Sequence, residues 1–266
     1  MKTCEDALEL LRLRLDPPEL TFVTDSHTLG YSRQMPVVAT SGSSSAAARQ
    51  ARRAAREQTI VAATRRLFDQ RGIRDARVED IARAAGLNKA LIYRAFSSKD
   101  EIFALAATSY LDELRARTDA VTADPDAAEQ LRQVLTVFAD FCVTYPAFLD
   151  CGLSLLRRPA VELRETLSDA AWFRVSRAVG RCVGVVQRVL EAGVAQESID
   201  VDDAGFTAGR LLTQMMGSMH LSRTGVSLRE ATPGAVTAVP LDSEQVRDAC
   251  IRDALAVVGV RDAVGS

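Results

Sequence analysis

The tract from Arg77 to Phe96 constrains the fold more than any other part of the chain, because it joins a short helix, a glycine turn and a second, basic helix in one compact unit. Ile81, Ala82 and Ala85 fall at helical spacing. Gly86 supplies the left-handed residue that stops the first helix, and Asn88 suits the N-cap of the second. Small Ala82 opposite Gly86 is expected to let the two helices nearly touch. Ile81, Leu87 and Ile92 then fill the shared core and leave Lys89, Ala90, Tyr93 and Arg94 on an outward face of the kind a DNA major groove accepts. Taken alone, the tract also reads as the Ala-rich end of an ordinary helix. Its flanks favour the first reading. Upstream, Ile60, Val61, Thr64, Leu67 and Phe68 recur with helical period and end at Arg71-Gly72; downstream, Ser97 to Glu101 provides a capping serine and acids ahead of Ile102, Phe103 and Leu105.

Charge points the same way. Residues 49–99 hold thirteen Lys or Arg against five acids, a net of +8, in a chain of net −2, so the remainder carries −10. A basic module on an acidic body has nucleic acid as its natural partner, with a solvated face or an acidic membrane as the competing readings.

These residues resemble the DNA-binding domain of the TetR family of transcriptional regulators, over Arg56 to about Arg115. Leu67-Phe68, Gly72, Val78, Ile81-Ala82, Ala85-Gly86-Leu87, Ile92-Tyr93, Phe96 and Lys99 fall in family register. Three positions depart. Ala76 stands where the family usually has Thr, so a capping hydroxyl is lost or its role passes to Asp75 or Arg77. Ala90 replaces a usual Gly and Ala95 a frequent His, so an operator sequence cannot be borrowed from relatives.

Geometry divides the roles, since phosphate contacts position a protein and base contacts choose the sequence. Arg52, Arg53 and Arg56 lead toward the backbone or the minor groove, and any phosphate contact of the lost hydroxyl passes to Asp75 or to Arg77, itself counted among the DNA-binding residues. Tyr93, Arg94 and Lys99 suit phosphate clamps, Lys89, Ala90 and Leu91 lie where base edges are read, and Asn88 is more a cap than a reader.

A length of 266 residues leaves ample chain beyond the module for a second core. The expected organisation begins with an extension over 1–48, disordered apart from a short helix around Leu8, Leu11 and Leu15 and ending in a Ser41–Ser45 linker, either an added contact element or sequence translated from a start chosen too early, since a start at Met35 keeps the basic arm. A DNA-binding domain over 49–115 (motif 77–96) and a helical effector and dimerisation domain over 116–266 follow. Five cysteines (Cys4, Cys142, Cys151, Cys182, Cys250) form no CxxC pair, which argues for reduced thiols, no metal site and a cytoplasmic protein. Nothing predicts a membrane span, a signal peptide or a cofactor. Catalysis is disfavoured: only His27 and His220 serve acid-base work, and there is no HExxH, nucleophile motif or phosphate loop.

Beyond Lys99 the apolar period is helical, predicting an all-α fold with segments near 100–121, 126–144, 146–157, 160–194, 203–221 and 242–259, broken at prolines, at Gly193 and over 224–240. By resemblance, the last two helices pair with their copies in a homodimer that matches a palindromic operator on double-stranded DNA. Leu211, Leu212, Met215, Met216 and Met219 with Val246, Ala249, Cys250, Ala254 and Val257 belong there or in the adjoining core. The resemblance also implies a small, hydrophobic effector that shifts a two-state switch and releases a repressor. Candidate pocket residues are Phe138, Phe141, Cys142, Tyr145, Phe148, Cys151, Leu155, Trp172, Phe173, Ser176, Gln214 and His220, with Arg174 or His220 fixing a polar group; core packing explains the aromatics equally. The alternative is an architectural or partner-recruiting DNA binder without an inducer.

Overall fold

The computed structural model describes residues 41–121 and 124–260; the greater part of the expected extension, residues 1–40 with Cys4 and His27, lies outside them. The described residues form α1 (Ser41–Arg71), α2 (Val78–Ala84), α3 (Lys89–Ala95), α4 (Lys99–Asp119), α5 (Ala127–Thr144), α6 (Pro146–Leu156), α7 (Ala160–Thr166), α8 (Asp169–Ala195), α9 (Ala204–Thr224), a hairpin of β1 (Val226–Thr232) and β2 (Ala235–Pro240), and α10 (Ser243–Val257). The all-α expectation holds with that one hairpin as a departure.

Two apolar clusters organise these elements. Ile60, Val61 and Leu67 of α1, Val78, Ile81 and Ala82 of α2, Ile92 of α3, and Ile102 and Leu105 of α4 build a head cluster. The body core gathers Leu131, Leu135, Phe138 and Phe141 of α5, Phe148 and Leu149 of α6, Leu190 of α8, Leu211, Met215 and Met219 of α9, and Ile251 and Leu255 of α10. Each such fully buried aliphatic or aromatic side chain stabilises by about 1.5–3 kcal/mol.

Besides α1, whose Phe68 lies in the body core, two helices belong to both clusters. The start of α4 lies in the head and its later residues Tyr110 and Leu114 in the body; likewise Ala171 and Val175 of α8 complete the head cluster while Val186 and Leu190 sit in the body. The two run side by side in the same sense, with Ser168 against Glu101 and Cys182 against Leu111.

Four expectations need correction. Ser41–Ser45 is helical, the opening of α1, because it is continuous with an Ala- and Arg-rich run of high helix propensity. The segment 160–194 is two helices, interrupted at Leu167-Ser168, where the Ser168 hydroxyl accepts from the Ala171 amide at 3.3 Å and starts a new helix. Gly193 does not end α8; a Cβ there would lie 2.4 Å from Ile199 Cδ1, so the glycine makes room for the chain folding back. Finally, 224–240 is a hairpin, with Gly225 at φ 66° ending α9 and Leu241 N–H donating to the Gly225 carbonyl at 3.0 Å to close its base.

The hairpin is amphipathic in an unusual sense. Val226 pairs with Pro240, Leu228 with Ala238 and Glu230 with Val236, while Ser227 and Arg229 oppose Val239 and Thr237. Opposed residues share a face, so one face is largely apolar, yet Val226, Leu228 and Val236 are 45%, 71% and 68% exposed.

Candidate nucleic-acid interface

The turn between α2 and α3 is fixed by backbone chemistry. Gly86 N–H donates to the Arg83 carbonyl at 3.2 Å and Leu87 N–H to the Ala82 carbonyl at 2.9 Å, the two-bond closure that requires a left-handed residue, and Gly86 supplies it at φ 67°. A Cβ on Gly86 would meet nothing within 4 Å. Conformation, not the close approach of Ala82 expected from the sequence, is therefore what calls for glycine. Asn88 caps α3, its side-chain oxygen accepting from the Leu91 amide at 2.9 Å. Nothing replaces the missing hydroxyl at the start of α2: Arg77 holds the N-cap position without any side-chain cap bond, and Ala76 is buried.

Ile92 and Phe96 anchor α3 in the head, at 0% and 3% exposure. That leaves Lys89, Ala90, Tyr93 and Arg94 in solvent and Leu91 half-buried, the face anticipated from the spacing. Lys89 Nζ lies 2.5 Å from Glu79 Oε1 and 5.9 Å from the Tyr93 ring centre. The hydrogen bond that Lys89 donates to Glu79 raises the lysine pKa and lowers that of the carboxyl, so both stay charged. Lys99 Nζ sits 4.7 Å from the Phe103 ring, exposed beside the α3 terminus. Arg52, Arg53, Arg56 and Arg77 are all exposed.

One cation of the module turns inward. Arg65 donates to Glu113 and to the Ser109 carbonyl and stacks 4.2 Å from the Tyr110 ring. Tyr110 in turn donates to Asp69 at 2.6 Å, and Tyr145 to Glu113 at 2.8 Å. On the other side Arg174 of α8 pairs with Glu57 of α1, and Arg158 with Asp100 at 2.8 Å. Glu101, only 7% exposed, accepts from Ser168 and from both the amide and the hydroxyl of Ser97. Burial pushes its carboxyl up, but the Ser168 and Ser97 hydrogen bonds outweigh this and leave it below the ordinary value. Apart from the local Ser97–Glu101 bonds, sequence spacing carries no sign of these links, which join residues far apart in the chain.

Residues 60–106, the length from the first buried position of α1 into α4, match the model of the bacterial regulatory proteins of the tetR family. Over that stretch the chain is similar to the DNA-binding domain of the TetR family of regulators. A curated relative, the HTH-type transcriptional repressor NicS of Pseudomonas putida, is 28% identical over 146 residues, and the match spans 52% of this chain and 62% of the length of that repressor. Among solved structures, the TetR family regulator PfmR of Thermus thermophilus superposes with a TM-score of 0.50 at 24% identity, over 74% of this chain and 97% of its own. A tetR-family regulatory protein from Rhodococcus RHA1 does so with a TM-score of 0.55 at 18% identity, over 78% and 98%.

The candidate effector residues are not brought to one cavity. Phe138, Phe141 and Phe148 pack on one another, with the Phe148 ring centre 5.1 Å from Phe141 and 6.0 Å from Phe138; Tyr145 joins them at 4.7 Å from Phe141, and Cys142 and Cys151 are buried against them. Burial pushes the Cys151 thiol up to about 12. Leu155 and Trp172 flank the head cluster instead, while Phe173 (59% exposed), Ser176, Gln214 and His220 face solvent. Arg174 is engaged by Glu57. Cys151 and Leu155 also border a void of about 50 Å³ beneath the Asp100–Arg158 pair, between α4, α6 and α7. Of the dimer candidates, Leu211, Met215, Met219, Cys250 and Ala254 are buried within the chain, and Leu212, Met216, Val246 and Ala249 half-buried. Among the described residues no single helix is long and apolar enough to cross a membrane.

Proposed function

We propose that the chain is a homodimeric repressor that binds a palindromic site on double-stranded DNA through α3. The observation that carries this reading is the capped α3 itself: an outward face of Lys89, Ala90, Tyr93 and Arg94 on a helix fixed from behind by Ile92, within a stretch of net charge +8. Lys89, Ala90 and Leu91 read bases, while Tyr93, Arg94, Lys99 and Arg77 hold phosphates. The NicS relative is named a repressor, which supports the same sign of regulation here.

A second copy is supported by the apolar surface of one continuous stretch. Phe206 and Leu221 on α9 are 70% and 53% exposed, and the hairpin that follows presents Val226, Leu228 and Val236. An isolated two-stranded hairpin is marginal in water, so an outward apolar face of this kind is best explained by a partner, and a two-fold partner suits a palindrome. Selection of bound fragments from genomic DNA by the purified protein tests both parts. A palindromic motif is expected, and salt-sensitive binding without any motif would overturn the reading.

Release by a small hydrophobic effector is the finer part of the proposal. Its seat is better supported at the void under Asp100–Arg158 than among the aromatic rings, since a ligand there has to part α6 and α7 from α4 and so displaces the head. The void is far below the ~300 Å³ of ordinary ligand pockets, so binding has to open it. The self-packed aromatics favour the competing reading, a DNA binder without inducer. Thermal-shift screening of apolar acids and phenols against the protein, followed by operator release, separates the two.

A further inference from the structure

The seam of α1 that faces the helix-turn-helix changes character along its length. Positions 49, 53, 56, 60, 63 and 67 recur at alternating steps of four and three and therefore lie on one side of the helix. The last three, Ile60, Ala63 and Leu67, are buried, and Ile60 and Leu67 pack in the cluster that holds α2 and α3. The first three are arginines. Arg52, next to Arg53, widens the same stripe. All four arginines are exposed, none has a carboxylate partner among the described residues, and no acid occurs between 41 and 56. The first acid, Glu57, is already taken by Arg174.

We propose that this arginine stripe, Arg49, Arg52, Arg53 and Arg56, lies against the phosphate backbone beside the site read by α3, as a sequence-independent second contact. The inference rests on the DNA-binding reading above and refines it. Sequence alone allowed the arginines a place in the minor groove; a helical backbone stays on the rim of that groove, over the phosphates. A helix with its side chains is about 10–12 Å across, and the minor groove is about 6 Å wide. The stripe continues the side of α1 on which α2 and α3 are mounted, so it is turned toward whatever α3 approaches. Arg49 to Ile60 spans about 16 Å of helix, the length of roughly five base pairs at ~3.4 Å each. Four like charges on one face repel one another in the free protein, and a row of phosphates relieves that repulsion.

The test uses the full chain with Arg49→Ala, Arg52→Ala, Arg53→Ala and Arg56→Ala combined, which keeps helix propensity, and the matching set of four Arg→Lys replacements. Lysine keeps the charge but not the bidentate fork that reads bases. Binding to the selected operator is measured across salt concentrations, with backbone footprinting and repeat motif selection. The alanine set should lower the slope of log K against log salt by about 3 to 4 per protomer, shorten the protected region by roughly four or five base pairs, and leave the motif unchanged. The lysine set should behave as the parent. An unchanged slope and footprint in the alanine set overturns the stripe while leaving the role of α3 intact. A changed motif in either set overturns the claim of sequence independence. Absence of any motif in the parent chain, with Lys89→Ala indistinguishable from it, removes the DNA-binding reading and the stripe with it.

Discussion

Lys89, the first residue of α3, is held by Glu79, in the first turn of the preceding helix, through a 2.5 Å contact in which both side chains remain about half exposed. The pair keeps the lysine ammonium oriented across the outward face of α3 and, on the proposed DNA-binding reading, sets an acid beside the position where DNA arrives. Replacing Glu79 by Gln is expected to tighten operator binding a few-fold, through removal of a repulsive charge. Fluorescence anisotropy titration measures it, and equal or weaker affinity would show that Glu79 positions Lys89 rather than opposing DNA.

Lys89→Ala and Tyr93→Ala should differ in kind. Loss of a base-reading group costs discrimination, on the order of 10-fold or more between operator and a site changed at one base pair. Loss of a phosphate contact weakens all sequences together and flattens the salt dependence. Competition assays with mutated operators separate the two, and a loss of discrimination by Tyr93→Ala would reverse the assigned roles.

Two glycines give a contrast in stability. Gly86→Ala meets open space and bears only the left-handed backbone penalty, about 1–2 kcal/mol. Gly193→Ala forces its methyl onto Ile199 and should be the more damaging of the two. Urea unfolding of both variants decides the order; a Gly86→Ala loss exceeding that of Gly193→Ala would contradict the account.

The hairpin offers a test of assembly that leaves the core intact. Leu228→Glu with Val236→Glu should shift the protein from dimer to monomer in sedimentation at micromolar concentration, with unchanged helix content. A dimer that persists would place the interface elsewhere.

Acid should loosen the junction of head and body. The carboxyls of Glu101 and Glu113 are both held below the ordinary range: in each, burial raises the value, and hydrogen bonds, from Ser168 and Ser97 or from Arg65, Tyr145 and Arg117, lower it by more. A group with a depressed folded value stabilises above its unfolded value, about 4.3 for Glu, and that contribution is lost as pH falls through the folded one. The melting temperature should drop on acidification below about pH 4, and Glu101→Gln should flatten that drop. A Glu101→Gln variant with the parent pH profile would exclude Glu101 as a source.

The helix-turn-helix was legible because everything that fixes it is local: Gly86, Asn88 and Ser98 act within four residues of themselves, and Ile81, Ala82 and Ala85 fall at helical spacing. What escaped depends on distant partners. Ser168 breaks a helix that composition alone would continue, and its role shows only once Glu101 lies beside it. Arg65 looked like its surface neighbours until Glu113 and Tyr110 surrounded it. The aromatics Phe138, Phe141 and Phe148 fill space with one another, a matter of volume that periodicity does not encode. The hairpin was hidden because Pro233-Gly234, a tight turn, reads equally well as a plain interruption between helices.

The shared membership of α4 and α8 in both apolar clusters has a consequence for how the molecule can be taken apart. A fragment ending at Asp119 would keep every groove-facing side chain yet strip Leu163, Leu167, Ala171 and Val175 from the cluster that steadies them. Truncation therefore yields a sticky, loosened reader rather than a miniature regulator, and inherited damage to α7 or the start of α8 would surface as a defect in operator occupancy through the cluster behind α3 rather than through its outward face.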